Sequence, residues 1–230
     1  MIRLENNALV FSFPELHEDA EFTLDFQRTL RIPDDGKDYP LPAGLGRFPV
    51  RHVDDFAGRL ESRIIDRGGV CIPMHSSEAM WISFDRSWGE TRYPFALKVA
   101  AGKINAISGA TWSPELNSDP QDYLVIPAQP WLDGFAIDKA VVRQFVAERL
   151  GDGYSVEEQL TGRADFGGLQ LLAYPMKRPR YLEIRAREEA ERRREGEEAW
   201  RRRVGALVDH TRAVLEPVRM RLDHAYSMLR

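Results

Sequence analysis

A single cysteine, Cys71, stands among 230 residues. An intramolecular disulfide framework and a cysteine-built zinc site are therefore excluded, and a reducing compartment fits. No stretch approaches the roughly 18 continuous apolar residues of a spanning helix, because every apolar run is short and broken by charge or proline. The first residues, Met1-Ile2-Arg3-Leu4-Glu5-Asn6-Asn7, lack the basic region and apolar core of a secretory leader. The expectation is a cytoplasmic protein without a membrane partner. Excess positive charge is missing too: 32 Lys and Arg against 36 Asp and Glu leave −4, which argues against a general nucleic-acid-binding surface. The Asp-x-Asp-x-Asp-Gly spacing of a calcium loop, a complete P-loop and a nucleophile motif are also absent, so no metal, no cofactor and no catalytic residue is assigned.

What is present is an ordinary globular composition, unevenly distributed. Hydrophobic residues make up 43% and charged residues 30%, and the length suits one well-buried domain with an appendage. Residues 180–230 hold 13 basic and 10 acidic side chains, a net +3, whereas residues 1–179 carry −7. The fold class expected is α+β: a mostly antiparallel β domain, sandwich or barrel, over residues 1–179, with a long C-terminal helical extension over 180–230.

Within the domain, Phe22, Leu24 and Phe26 alternate with polar neighbours over residues 21–32, the pattern of a half-buried strand whose phase slips at Thr29-Leu30. A loop dense in Pro and Gly follows to Pro49. Val53, Phe56, Leu60 and Ile64 at helical spacing predict a helix over 53–66, stopped by Gly68-Gly69. From Gly69 to Lys177, short aromatic and β-branched runs predict strands at Val70–Pro73, Ala79–Phe84, Phe95–Ala100, Lys103–Ser108, Tyr123–Ile126, Val141–Ala147, Ser155–Leu160 and Leu169–Tyr174. A tight hairpin is expected at Ala101-Gly102. Residues 138–150 read equally as a helix capped by Asp138.

The extension begins after Pro179. Five Glu residues precede Arg by four positions, Glu183 with Arg187, Glu188 with Arg192, Glu189 with Arg193, Glu197 with Arg201 and Glu198 with Arg202. Each such pair supports an exposed helix by about 0.3 kcal/mol. Trp200, Val204, Leu207, Thr211, Val214, Val218 and Leu222 then recur at spacings of four and three, an apolar stripe that needs a partner protein, a second copy or the body itself. Pro217 predicts a kink near Ala213–Glu216 or a helical hairpin, with Gly205 as a second weak point.

Candidate chemistry is sparse. Cys71, His75 and His52 form the one Cys/His grouping, but the spacing does not make their side chains converge. His210 and His224 read as exposed helix residues. The acidic residues Asp119, Asp122, Asp133, Asp138 and Asp152 read mainly as turn formers, and the pairs Gly151/Gly153 and Gly167/Gly168 as hairpin turns. Trp81, Trp88, Trp112 and Trp131 fall within one fifty-one-residue window; most belong in a core, and one left on a rim would suit a flat ligand.

The words Phe95-Ala96-Leu97-Lys98-Val99, Gln121-Asp122-Tyr123, Gln129-Pro130-Trp131-Leu132-Asp133-Gly134, Arg143-Gln144-Phe145-Val146-Ala147, Gly153 through Gly162 and Gly167-Gly168-Leu169-Gln170 resemble an uncharacterised family found in bacteria, fungi and slime moulds. The resemblance spans Met80 to Lys177. Relatives carry Met-Pro-Leu-Gly where this chain has Glu148-Arg149-Leu150-Gly151, and a proline there favours a strand over Val141–Ala147. The family brings no assigned activity, so the resemblance implies a domain and no mechanism. It draws attention to Gln129, Asp133, Arg143, Gln144, Glu157 and Gln159, with Trp131 beside them as a further binding candidate. These polar groups either line a pocket or partner face, with Arg143 pairing Asp133 or Glu157, or form a buried network that fixes strand register.

Three functions follow as expectations. The first is a non-enzymatic binding or assembly module whose helical extension meets a protein partner or itself through Trp200, Val204, Leu207, Val214, Val218 and Leu222. The second is a hydrolase built on Asp133, Arg143 and Glu157. The third is a lectin-like sugar binder, and a small ligand is compatible with either of the last two.

Overall fold

The computed structural model describes residues 1–33, 35, 37, 39–40, 42–84, 93–138 and 141–227, apart from the side chains of 137, 138, 141, 214 and 217–227. Trp88 and the side chains of Val214, Val218 and Leu222 thus lie outside the described residues. The chain divides into two compact units, 1–178 and 179–230.

The first unit opens with a hairpin. Asn6 and Asn7 take φ values of 51° and 61°, the left-handed pair that a two-residue primed turn requires. They join β1 (Ile2–Glu5) to β2 (Ala8–Ser12). All five residues of β2 are buried, so no polar alternation marked it as a strand. It pairs with β3 (Glu21–Thr29), which ends where the alternation slips.

The helix expected over 53–66 is not continuous. After β4 (Arg51–His52) comes a 3-10 turn at Val53–Phe56, then α1 (Ser62–Arg67). Gly58 between them adopts φ of 88°, which a helix cannot contain. Next come β5 (Val70–Cys71), β6 (Ala79–Phe84), β7 (Phe95–Ala101) and β8 (Ile104–Asn105). The hairpin between β7 and β8 turns on Gly102 and Lys103, both with positive φ. The next strands are β9 (Leu124–Ile126), β10 (Trp131–Leu132), β11 (Gly134–Asp138) and β12 (Val141–Val146).

The strand expected over Ser155–Leu160 is instead a helix, α2 (Val156–Thr161). Ser155 accepts from the Glu158 N–H while the Glu158 carboxylate accepts from the Ser155 N–H, a capping box that starts a helix wherever Ser-x-x-Glu can close. Gly162 ends it in the left-handed conformation. The last strand is β13 (Leu169–Pro175).

All pairings are antiparallel. One sheet runs β1-β2-β3-β6-β12-β11, with β10 also on β6; a second runs β13-β7-β8, with β9 also on β7; β4 and β5 form a small ribbon. β6 is the hub of the first sheet. One edge bonds β3 along its full length, and the other is shared by β10 at Ile82–Ser83 and β12 at Ala79–Met80. Aromatic rings join the sheets: Phe11 stacks on Phe22 at 4.7 Å, and Phe22 meets Phe95 of the other sheet at 4.7 Å. Phe13 and Tyr93 close on Phe95 at 5.8 Å each.

The second unit is the bulk of α3 (Arg178–Ser227), 50 helical residues without interruption. The expected hairpin at Pro217 does not form, and the helical assignment passes through both Gly205 and Pro217. Two of the five expected spacings close as ion pairs, Glu197–Arg201 and Glu198–Arg202, alongside Arg180–Glu183 and Arg185–Glu188 at the shorter spacing. The chain is thus an α+β protein with a β domain and a long C-terminal helix, and among the described residues no helix is long and apolar enough to cross a membrane.

Two glycines permit backbone approaches that any side chain would block. A Cβ on Gly134 would lie 1.8 Å from the Arg143 carbonyl oxygen, and one on Gly102 would lie 2.5 Å from the Glu157 Cβ at a φ of 55°. Gly134→Ala and Gly102→Ala should each lower stability by about 3 kcal/mol, as overpacking combined with lost backbone pairing does. Urea unfolding followed by circular dichroism measures this, and a loss below about 0.5 kcal/mol would contradict the close packing.

Candidate functional site

The residues singled out from sequence fall in two places. Gln129, Trp131, Asp133, Arg143 and Gln144 belong to the β10–β12 edge of the larger sheet. Gln129 sits in the turn before β10 and donates its amide to the Trp131 carbonyl. Trp131 pairs with Ser83 and is 38% exposed. Asp133 links β10 to β11, and its carbonyl accepts from the Phe145 N–H at 3.3 Å. Arg143 lies opposite Phe135 and is exposed. Among the described residues, no ion pair joins Arg143 to Asp133 or Glu157.

Gln144 acts as a clamp. Its Oε1 accepts from the Ile32 N–H and its Nε2 donates to the Leu30 carbonyl, both at 2.9 Å, across more than 110 residues of chain. One amide thus satisfies both backbone groups of a segment that has left the β3 ladder.

Glu157 and Gln159 lie on α2, beside the smaller sheet. Gln159 is exposed and donates to the Tyr154 carbonyl. Glu157 is 2% exposed. Its Oε1 accepts from the Asp165 and Phe166 N–H groups and its Oε2 from that of Gly167, at 2.7–3.0 Å. A buried carboxylate met by three backbone donors is well compensated. It holds the α2–β13 loop against the Gly102 turn.

Between that turn and that loop lies a cleft of about 330 Å³, lined by Gly102, Lys103, Ile104, Thr111, Glu157, Thr161, Arg163, Asp165 and Phe166. The Lys103 ammonium is 5.5 Å from the Trp112 ring centre and 5.9 Å from that of Phe166. Arg67 approaches Phe166 at 5.7 Å and donates to the Asp165 and Phe166 carbonyls. Sequence reading missed Lys103, Arg163 and Phe166 because no motif connects them; the hairpin signal at Gly102 was the available clue. A larger depression of about 540 Å³, open to solvent, lies along Met74–Ser76 and Ala147–Arg149.

Two further charges are buried. Lys98, fully buried on β7, donates to the Glu115 carbonyl at 2.5 Å and to Asp122 Oδ2 at 2.7 Å, and it lies 5.6 Å from the Trp112 ring centre. Burial pushes the Asp122 carboxyl upward, but the Lys98 ammonium and the Asn117 N–H outweigh it, leaving the group below its ordinary value of 3.8. Asp25 on β3 is held by Gln27 at 2.5 Å and Arg47 at 3.3 Å. The neighbouring indole Trp81 Nε1 is buried without an acceptor among the described residues.

The Cys/His grouping does not assemble. Cys71 pairs with Arg51, and His52 pairs with Val70. Burial and then the negative charge of Asp55 raise the Cys71 thiol, the opposite of what an activated nucleophile needs. The His75 N–H is tied to Glu78, and His210 is exposed on α3. Among the described residues, no three His, Cys, Asp or Glu are placed to hold a metal ion.

No family model, no curated protein sequence and no solved structure matches this chain.

The Lys98–Asp122 pair makes a signed prediction. Asp122 is depressed in the folded state, so its stabilisation is present above the unfolded value of 3.8 and is lost as pH falls through the lower folded value. Wild type should therefore lose stability below about pH 4 more steeply than Asp122→Asn, which should already be weakened at neutral pH by a buried, unpaired ammonium. Denaturant midpoints measured across that range check both statements, and parallel pH curves would refute the pairing.

Proposed function

We propose that this protein is a non-enzymatic binding and assembly module in which the β domain carries α3 as a self-association element. One observation carries the reading: the second half of the helix leaves large apolar side chains in water. Trp200 is 65% exposed and Leu207 66%, and Val204, Val208 and Leu215 are exposed beside them. Contiguous exposure of this kind is uncommon on a monomer and marks a surface that another protein covers. Helical spacing puts these residues on one face.

The charge pattern supports the division of labour. Residues 183–203 carry the Glu and Arg that keep an unpartnered helix formed and soluble. The stripe begins at Trp200, about 33 Å along the helix at ~1.5 Å per residue. A second copy is the simplest partner, because each chain presents the same face. With one cysteine, half-buried and with its thiol raised above the ordinary value, the cytoplasm is the compartment that suits such a module.

Light scattering coupled to size exclusion, on the full chain and on Trp200→Glu/Leu207→Glu, tests the reading. An oligomer that the double variant converts to a monomer, with helicity unchanged, is the expected result. A full-length chain that stays monomeric at high concentration would sink the self-association reading and transfer the face to a different protein.

A second reading, glycan binding, has one observation behind it: Trp131 is partly exposed, with Gln129 against its carbonyl. An exposed indole flanked by an amide can stack on a sugar ring. The measurement is Trp131→Ala against wild type on a glycan array, and a silent array for wild type removes the idea.

A further inference from the structure

We propose that the cleft between the β7–β8 turn and the α2–β13 loop binds a small phosphate-bearing molecule, with the phosphate met by Lys103 and Arg163. Two cationic side chains line this cleft, and neither has an ion-pair partner among the described residues. Lys103 is half-buried, and the described contacts of its ammonium are the faces of Trp112 and Phe166. Arg163 engages the fold through its backbone N–H, bonded to the Thr161 hydroxyl. The Thr111 hydroxyl, in the same lining, is bonded to no acceptor among the described residues. Lys103, Arg163 and Thr111 thus bring donors without a described internal acceptor to the lining of one cleft, with Arg163 and Thr111 open to solvent.

Two carboxylates share the lining with the two cations. The Glu157 oxygens are turned to three backbone N–H donors of the loop, which solvate the carboxylate and leave the cationic heads free of it, although its negative charge stays in the wall. Asp165, also in the lining, is exposed, so water weakens its repulsion of an anion without removing it. Arg67, held on the Asp165 and Phe166 carbonyls, adds a third positive charge beside the loop.

Backbone conformation points the same way. Lys103 occupies a left-handed φ of 63°, where Gly or Asn is preferred and a lysine is strained. Its N–H is fixed by Gln170 Oε1 at 2.8 Å. The turn thus holds a lysine where an asparagine or glycine would fold more easily, and strain of that sort collects at binding positions. The cleft volume lies at the small end of ligand pockets, and the exposed Phe166 in its lining suits a ligand with a flat ring.

Calorimetric titration of the full chain at low salt, with adenosine 5′-monophosphate, inorganic phosphate and adenosine as separate probes, tests the site. The nucleotide should bind at or below about 1 mM, the weak end of ordinary affinities. Lys103→Gln and Arg163→Gln should each weaken it by about tenfold, the effect of losing one charge-assisted contact. Asp165→Asn should tighten binding by a few-fold, because it removes the exposed carboxylate of the lining. Phosphate binding as tightly as the nucleotide keeps the anion site and identifies a bare anion as sufficient. The proposal is overturned if adenosine binds as well as its phosphate, if neither phosphate probe binds, or if affinity is unchanged in both cation variants. Arg163 is exposed, so Arg163→Gln reports on the site even if Lys103→Gln disturbs the turn.

Discussion

The two sheets are one body because of a short chain of rings. Phe11 stacks on Phe22 within the larger sheet, Phe22 meets Phe95 of the smaller one, and Phe13 and Tyr93 close around Phe95. Each ring buries a large apolar area, and edge or offset contacts add to that burial. β3 and β7, the strands that carry the central pair, are also bonded to several neighbours: β3 lies between β2 and the hub β6, and β7 pairs with β13, β8 and β9. Displacing Phe22 or Phe95 would therefore disturb both ladders together.

Around this apolar centre the irregular segments are fastened by buried polar groups. Lys98 anchors the stretch from Glu115 to Asp122. Glu157 gathers three successive N–H groups of the α2–β13 loop. Gln144 ties down Leu30 and Ile32, and Asp25 holds Gln27 and Arg47. Loops that cannot pair with a strand still have to satisfy their backbone groups, and a buried charge with several donors or acceptors does so at one point. Polar residues that resemble a reaction centre in the sequence are, at Gln144 and Glu157, the fasteners of long connections. The cationic heads of Lys103 and Arg163 have no ion-pair partner among the described residues, which is why they are the better candidates for ligand binding.

The helix follows a different rule. Beyond the buried Tyr181 its first half is supported by exposed Glu and Arg, whereas its second half presents an apolar face that water disfavours. The same element thus changes character at Trp200, from a charged, ion-paired helix to one that exposes large apolar side chains.

How much of this was readable without coordinates depended on the range of the interaction. Alternation of side chains marked β3 to its last residue, and a short aromatic and β-branched run marked β6 to both ends although it is buried on both faces. The stripe on α3 was legible too, as was the Gly102 turn. The fully buried β2 carried no alternation and was missed. The Ser155-x-x-Glu158 box was present in the sequence, yet its apolar neighbours suggested a strand. Gly58 broke a helix whose spacing looked sound, and Pro217 failed to break one, since neither outcome depends on periodicity alone. By itself, then, the sequence determined the α+β class, the division near residue 179, most strands of the domain and the two characters of the tail, all of which rest on local patterns of charge and polarity. Only the tertiary structure decided that Gln144 reaches back to Leu30, that Glu157 closes a loop rather than meeting Asp133, and that Lys103 and Arg163 share a cleft. Those pairings join residues that are distant in the chain, and strand order and register, which no local pattern encodes, bring them together.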